Sequence, residues 1–176
     1  LDGNAVSQFC DDGRGNLWIA TENGGLNHFD VRNRKFTNHT ARSHNNLHAL
    51  CMDGDDLLIG TFSQGLDLMN LRTGKVVNYR NIPGDSASLC NDYVYAIFRA
   101  SDGTLYVGTM SGMCTFDKRR GRFSRVKITE GRFIYDIAED TGGNIWVASK
   151  VSGIYRYSPG DGAWKNYRHD EPVSYT

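Results

Sequence analysis

No apolar run in the sequence approaches the roughly 20 residues that a helix needs to span a bilayer, so no membrane contact by this piece is expected. A charge excess is also missing: twenty Lys and Arg balance twenty Asp and Glu among 176 residues. Chains that hold phosphate backbones usually carry a basic surplus, which argues against nucleic acid as a partner. Helical periodicity of useful length is absent, as is any nucleophile-elbow or phosphate-cradling glycine motif. The four cysteines form no C-x-x-C pair, so a zinc site has no support. Cys10 and Cys51 fall at one repeat position, Cys114 in a strand and Cys90 in a loop. Buried free thiols are the expectation, with a disulfide as the alternative. The chain opens LDGNAVSQF, without an initiator Met, a basic start or an apolar signal core; it is expected to be an excised piece of a longer protein.

What is present is a repeat. The stretch DDGRGNLWIATENGGLNHFD at Asp11–Asp30 has the same grammar as LLIGTFSQGLDLMN at Leu57–Asn70, LYVGTMSGMCTFD at Leu105–Asp117 and IWVASKVSGIYRYS at Ile145–Ser158. Trp18, Leu58, Tyr106 and Trp146 occupy one position, 40, 48 and 40 residues apart. Phe9, Ile97 and Ile137 lie nine residues before that anchor; Leu50 lies eight before, because its turn is a residue shorter. The repeat units are placed at 1–40, 41–80, 81–127 and 128–168, with 169–176 beginning the next linker. A fixed period of this size sets the architecture before any single residue does.

Each unit predicts four short strands, as β-branched and aromatic runs between Gly, Asn and Asp turns do. They are Val6–Cys10, Leu17–Thr21, Leu26–Asp30 and Lys35–His39; Leu47–Met52, Leu57–Thr61, Leu66–Asn70 and Lys75–Tyr79; Val94–Arg99, Leu105–Thr109, Met113–Asp117 and Arg122–Val126; and Ile134–Glu139, Ile145–Ser149, Ile154–Ser158 and Ala163–Tyr167. The second strands, such as LWIAT, are apolar on both alternating faces, so both faces need cover. Four-stranded sheets stacked face to face around an axis provide it. The fold class is therefore all-β: a β-propeller fragment of four blades, each of four antiparallel strands. The small residues Ala20, Gly60, Gly108 and Ala148 are expected to leave room for the large anchor of the adjoining sheet.

The connections sort onto two ends. Acidic turns after the first strands lie beside basic turns after the third, which predicts weak ion pairs of about 0–1 kcal/mol each. Asx-turn chemistry accounts for the Asp-Gly turns, whereas calcium loops show a more regular ligand spacing. The opposite end collects the variable loops, as binding ends do. There Asn4, Asn46, Asn91, Tyr93 and Arg132 stand near the start of the innermost strands and could ring a polar axial mouth. Amides, an aromatic ring and an Arg suit a neutral or mildly anionic polyhydroxylated ligand; capping of the strands is the alternative role.

The unit D-x-x-G-x-G-N-L-W-I-A-T-x-x-G-G-L at Asp11–Leu26 and T-G-G-N-I-W-V-A-S at Thr141–Ser149 resemble the two-component-regulator propeller repeat. The linker YRNIPGDSASLCNDYVYAI at Tyr79–Ile97 is similar to that family's inter-blade linker, and YRHDEP at Tyr167–Pro172 to the start of another. The second unit departs most, with Leu58 for the anchor aromatic and a shortened turn. The resemblance implies the extracytoplasmic, periplasmic sensor region of a Bacteroidetes-type hybrid histidine kinase that detects glycan breakdown products, in which propellers are seven-bladed. No ligand residue is carried by a shared motif, so none is transferred.

Three functions follow as expectations. The first is a non-catalytic module that senses an oligosaccharide in the intact receptor, with no cofactor. The second is a propeller enzyme, a lyase or a quinone-dependent dehydrogenase. Its metal-ligand candidate is the H-x-x-x-H pair His44 and His48, which spans a loop and a strand start instead of one helix face; no metal site is assigned. The third is a protein-interaction scaffold. Four units closing only part of a ring leave two apolar faces bare, so self-association through them, or a tighter four-bladed ring, is expected of the isolated piece.

Overall fold

The computed structural model describes residues 1–39 and 45–169. These form four separate four-stranded antiparallel sheets, each with its strands joined in chain order. The first holds β1 (Val6–Asp11), β2 (Leu17–Thr21), β3 (Gly25–Asp30) and β4 (Lys35–His39). The second holds β5 (Leu47–Asp53), β6 (Asp56–Thr61), β7 (Leu66–Asn70) and β8 (Val76–Tyr79). β9 (Val94–Arg99), β10 (Leu105–Thr109), β11 (Gly112–Asp117) and β12 (Arg122–Arg125) make the third. β13 (Ile134–Glu139), β14 (Ile145–Ser149), β15 (Gly153–Ser158) and β16 (Ala163–Tyr167) make the fourth. A 3-10 turn at Lys127–Thr129 is the one helical piece among the described residues.

Three of the third strands begin a residue earlier than the apolar pattern implies, because a glycine opens them. Gly25, Gly112 and Gly153 pair across with Thr21, Thr109 and Ser149. Gly153 shows why a side chain is excluded there: its φ is +74°, and a Cβ would lie 2.1 Å from the Tyr167 carbonyl oxygen. A hydroxyl then pins the loop. Thr21, Thr61 and Thr109 donate through Oγ1 to the carbonyls of Gly25, Gly65 and Gly112 at 2.9, 2.8 and 2.7 Å.

The sheets stack in one direction. Trp18 and Ala20 of β2 face Leu57 and Ile59 of β6; Leu58 of β6 faces Leu105 and Val107 of β10; Tyr106 of β10 faces Ile145 and Val147 of β14. The anchor face of every sheet thus packs on the opposite face of the next. Leu58 is fully buried in its interface, so an aliphatic side chain fills the anchor position there; its burial contributes about 1.5–3 kcal/mol.

One expectation is corrected. The small residues do not make room for a neighbouring anchor; they admit the first residue of the next innermost strand. A Cβ at Gly60 would sit 2.7 Å from Val94 Cγ1, and one at Gly108 would sit 2.6 Å from Ile134 Cγ2. The anchor and the small residue lie two apart on one strand, hence on one face, and the next sheet presents its inner strand to the small one.

Two outer faces stay open. On the first sheet Leu17 and Ile19 are half-buried and Phe9 is 65 % exposed; on the fourth Trp146 is half-buried, Ala148 is exposed and Ile154 is 47 % exposed. Trp146 therefore lies on an open face, where Tyr167 stacks on it with centroids 6.1 Å apart and Arg156 lies 5.6 Å over its ring.

All four cysteines are free thiols, with Cys90 and Cys114 buried. Cys90 and Leu89 come from the linker after β8 and pack between the second and third sheets. That linker is held by its own polar groups. Asp92 accepts from the Arg80 guanidinium and the Asn81 amide, at 2.8 and 2.7 Å, and Asn81 Nδ2 donates to the Leu89 carbonyl at 2.7 Å.

Candidate functional site: an axial cleft lined by bulged residues

The innermost strands β1, β5, β9 and β13 pack on one another in that order, and all four break their pairing at the same place. On β1 the register shifts between Val6 and Gln8, on β5 between Leu47 and Ala49, on β9 between Val94 and Ala96, and on β13 between Ile134 and Asp136. Each is a β-bulge, two residues facing one, which leaves a residue outside the ladder and re-aims its side chain. The extra residues are Ser7, His48, Tyr95 and Tyr135. All four line one cleft of about 420 Å³, with Gln8, Glu22 and Asp136.

A second repeated contact builds the mouth. The residue after each second strand donates its backbone N–H to the carbonyl just before the innermost strand. Glu22 donates to Ala5 at 2.8 Å, Phe62 to Asn46 at 2.9 Å, Met110 to Tyr93 at 3.0 Å and Lys150 to Phe133 at 3.0 Å. These bonds bring Glu22, Phe62, Met110 and Lys150 beside the bulged residues.

The rings form a continuous track. Phe62 meets Tyr93 edge-on at 5.0 Å and His48 at 5.6 Å; His48 meets Tyr95 at 4.7 Å; Tyr95 meets Phe133 at 4.5 Å and Tyr135 at 6.2 Å. Lys150 Nζ lies 5.3 Å over the Phe133 ring, a cation–π contact. Burial disfavours the charged imidazole and lowers the His48 pKa, with Glu22 pulling the other way. The Tyr95 hydroxyl is raised, first by burial and then by its neighbours Tyr135, Tyr93 and Glu22. Gln8 is structural as well as lining: its Oε1 accepts from the Leu50 N–H at 2.6 Å, joining the first two inner strands.

Of the strand-start residues, Tyr93 lies in ring contact with Phe62. Asn91 Oδ1 accepts from the Tyr93 N–H at 2.9 Å, and the Asn46 carbonyl accepts from Phe62. Arg132 is exposed and its N–H donates to the Thr129 carbonyl at 3.0 Å; Asn4 lies in an exposed bend before β1. Of the H-x-x-x-H pair, His48 faces the cleft, and His44 lies outside the described residues. Among the described residues no three His, Cys, Asp or Glu side chains cluster as metal ligands would.

The bulge tier is what residue-by-residue pattern reading missed. Its signal is a break in alternation: Ala49-Leu50 and Ala96-Ile97 are adjacent buried pairs, each just after His48 and Tyr95.

The opposite end holds polar turns. Asp12 Oδ1 accepts the Arg14 and Asn16 amides at 2.8 and 2.9 Å, and Asp140 Oδ1 accepts those of Gly142 and Asn144 at 2.9 Å each. These are Asx turns. The Trp146 indole donates to Asp140 Oδ2 at 2.8 Å, and this bond, then those of Asn144, hold the Asp140 carboxyl down at about 2. At the equivalent place in the first sheet His28 Nε2 meets Asp12 Oδ2 at 3.1 Å. One ion-pair cluster crosses between sheets: Lys118 reaches Asp56 at 2.7 Å and also Asp53, which pairs with Arg99 at 2.7 Å.

A family model described as two component regulator propeller matches residues 1–23 and 88–111. Histidine kinase P4 of Formosa agariphila is 31 % identical over 81 residues, covering 40 % of this chain and 6 % of that protein. The extracellular domain of the hybrid two-component system BT3049 from B. thetaiotaomicron superposes with a TM-score of 0.81 at 25 % identity, over 96 % of this chain and 25 % of that one. Virginiamycin B lyase from Staphylococcus aureus superposes with a TM-score of 0.71 at 13 % identity, over 96 % of this chain and 57 % of the lyase; that likeness is one of fold alone. The chain thus spans 6 % of the kinase and a quarter of the extracellular domain.

Proposed function

The chain carries two-component regulator propeller repeats, and from that premise we propose that it is a non-catalytic ligand-sensing module in the periplasmic region of a hybrid two-component sensor, where it contributes to recognition of an oligosaccharide. The observation that carries the reading is the axial cleft, where four equivalent bulges turn side chains out of the ladder toward a common space. A sheet has no packing reason to repeat such a defect four times, and bulges are used to aim side chains at sites. Asn4, Asn46, Asn91, Tyr93 and Arg132 would form the rim. The open faces of the first and fourth sheets would be covered by further blades, completing a ring of seven.

Signalling then needs no chemistry in this piece. A ligand that prefers one arrangement of the intact sensor shifts its population by the difference in affinity between the two states. Calorimetry on the intact extracellular region with a panel of neutral and acidic glycans tests the reading. A saturable heat with one class of glycan is expected; silence across the panel overturns it. The lyase likeness supplies the alternative of an enzyme, and turnover of any panel member by the purified region would favour that instead.

A further inference from the structure

We propose that the aromatic track from Phe62 through His48 and Tyr95 to Tyr135 is the contact surface of the cleft, and that it takes the neutral pyranose rings of an oligosaccharide. The inference rests on the sensor reading and names the ligand class and the residues of that same site.

The rings are placed to bind more than one another. Tyr135 is 56 % exposed and Phe62 37 % exposed, although both lie in contact with other rings of the track. Aromatic side chains that serve only as packing are covered; these keep open faces along a concave surface, which is how ligand sites are built. A pyranose ring has an apolar C–H face and a hydroxyl rim. The track offers the matching arrangement, with flat apolar faces in a row and the polar groups of Ser7, Glu22 and Asp136 around the same cleft.

The charge pattern selects neutral over anionic sugars. The carboxylates that line the cleft, Glu22 and Asp136, are acidic. Lys150, the cation placed on the track, is engaged over Phe133. An anionic ligand of several charges calls for convergent Arg or Lys forks, which this lining does not supply. His48 is held toward its neutral form by burial, so it presents a flat ring and a hydrogen-bonding nitrogen.

The test is titration calorimetry of the intact extracellular region with gluco-, manno- and xylo-trisaccharides, and with trigalacturonate, for the wild type and four variants. Tyr95→Ala and Tyr135→Ala are each expected to weaken binding of a neutral trisaccharide by about tenfold or more, as loss of a central aromatic contact does. Tyr95→Phe and Tyr135→Phe keep the ring and are expected to stay within about threefold. Because Tyr135 is largely exposed, Tyr135→Ala should melt with the wild type, so lost binding there is not lost folding. Neutral binding that survives both alanine variants unchanged overturns this site and leaves the sensor reading standing. Binding of trigalacturonate alone overturns the neutral class. No binding of any probe overturns both.

Discussion

Gly108 is where the stacking of sheets can be tested most directly. A methyl group added there would lie 2.6 Å from Ile134 Cγ2, 3.1 Å from Ile134 Cβ and 3.2 Å from Ala96 Cβ. None of these atoms is the end of a flexible side chain. Ile134 is fully buried and β-branched, so it has few rotamers to move into, and relief requires the third and fourth sheets to part. Overpacking of this kind costs about 1–3 kcal/mol, the range expected for Gly108→Ala. Ile134→Ala alone leaves a cavity and costs about 2–5 kcal/mol. In the double variant the new methyl group enters the space Ile134 vacated. The two changes should therefore be less harmful together than their sum, with a coupling of about 1–2 kcal/mol, within the range for contacting residues. Urea unfolding of the intact extracellular region, followed by far-ultraviolet dichroism, gives the four free energies. Gly160→Ala, with nothing within 4 Å of its added Cβ, is the control and should stay within about 0.5 kcal/mol. Strict additivity at 108 and 134, or a neutral Gly108→Ala, would refute the one-way fit of inner strand into glycine.

Other expectations concern charge, buried polar groups, thiols and the open faces. Burial alone would raise Asp53 and Asp56, but Lys118 with Arg99 for the first and Lys118 with Asn70 for the second outweigh it and lower both. A depressed carboxyl contributes stability that is present above its unfolded value of about 4 and lost as pH falls through the folded one. The urea midpoint should thus drop below about pH 4, and Lys118→Met should both flatten that acid limb and cost about 1 kcal/mol at neutral pH; an unchanged limb refutes the assignment. Gln8→Ala leaves the Leu50 N–H without its 2.6 Å acceptor and should cost about 1–3 kcal/mol by the same assay; a neutral change would contradict it. Burial, and then Cys51, push the Cys10 thiol from 9.0 to about 11. At pH 8 it should react with a disulfide reagent about 100-fold more slowly than an ordinary thiol, and prompt labelling of Cys10 mapped by mass spectrometry would refute this. The isolated chain should associate through its open faces in size-exclusion chromatography with light scattering; a clean monomer at all concentrations contradicts that.

Strand placement was readable because period-two runs such as LWIAT and LYVGT sit between Gly, Asn and Asp turns, and local chemistry decides both. The anchor position was readable from recurrence alone, including at Leu58. What the pattern concealed are relations between distant residues. Lys118 pairs with Asp56 across 62 residues, and no local rule names that partner. Ala20 and Gly60 announce a close approach, but which atom approaches depends on how the next sheet is set down. The bulges were hidden for a different reason. An extra residue on one strand changes the register of a ladder, and a register exists only once both strands are in place. Hence Tyr95 and Tyr135 read as ordinary strand residues, while the strand-start amides drew attention by being polar.

The bulged positions also bear on how such a protein can diversify. Side chains at 7, 48, 95 and 135 lie outside the ladder, so their identity is decoupled from the contacts that hold the blades in shape. Substitution there can redraw the lining of the cleft while the scaffold keeps its stability. A lineage under pressure to recognise new compounds could therefore sample this tier freely, one blade at a time, with little risk of misfolding.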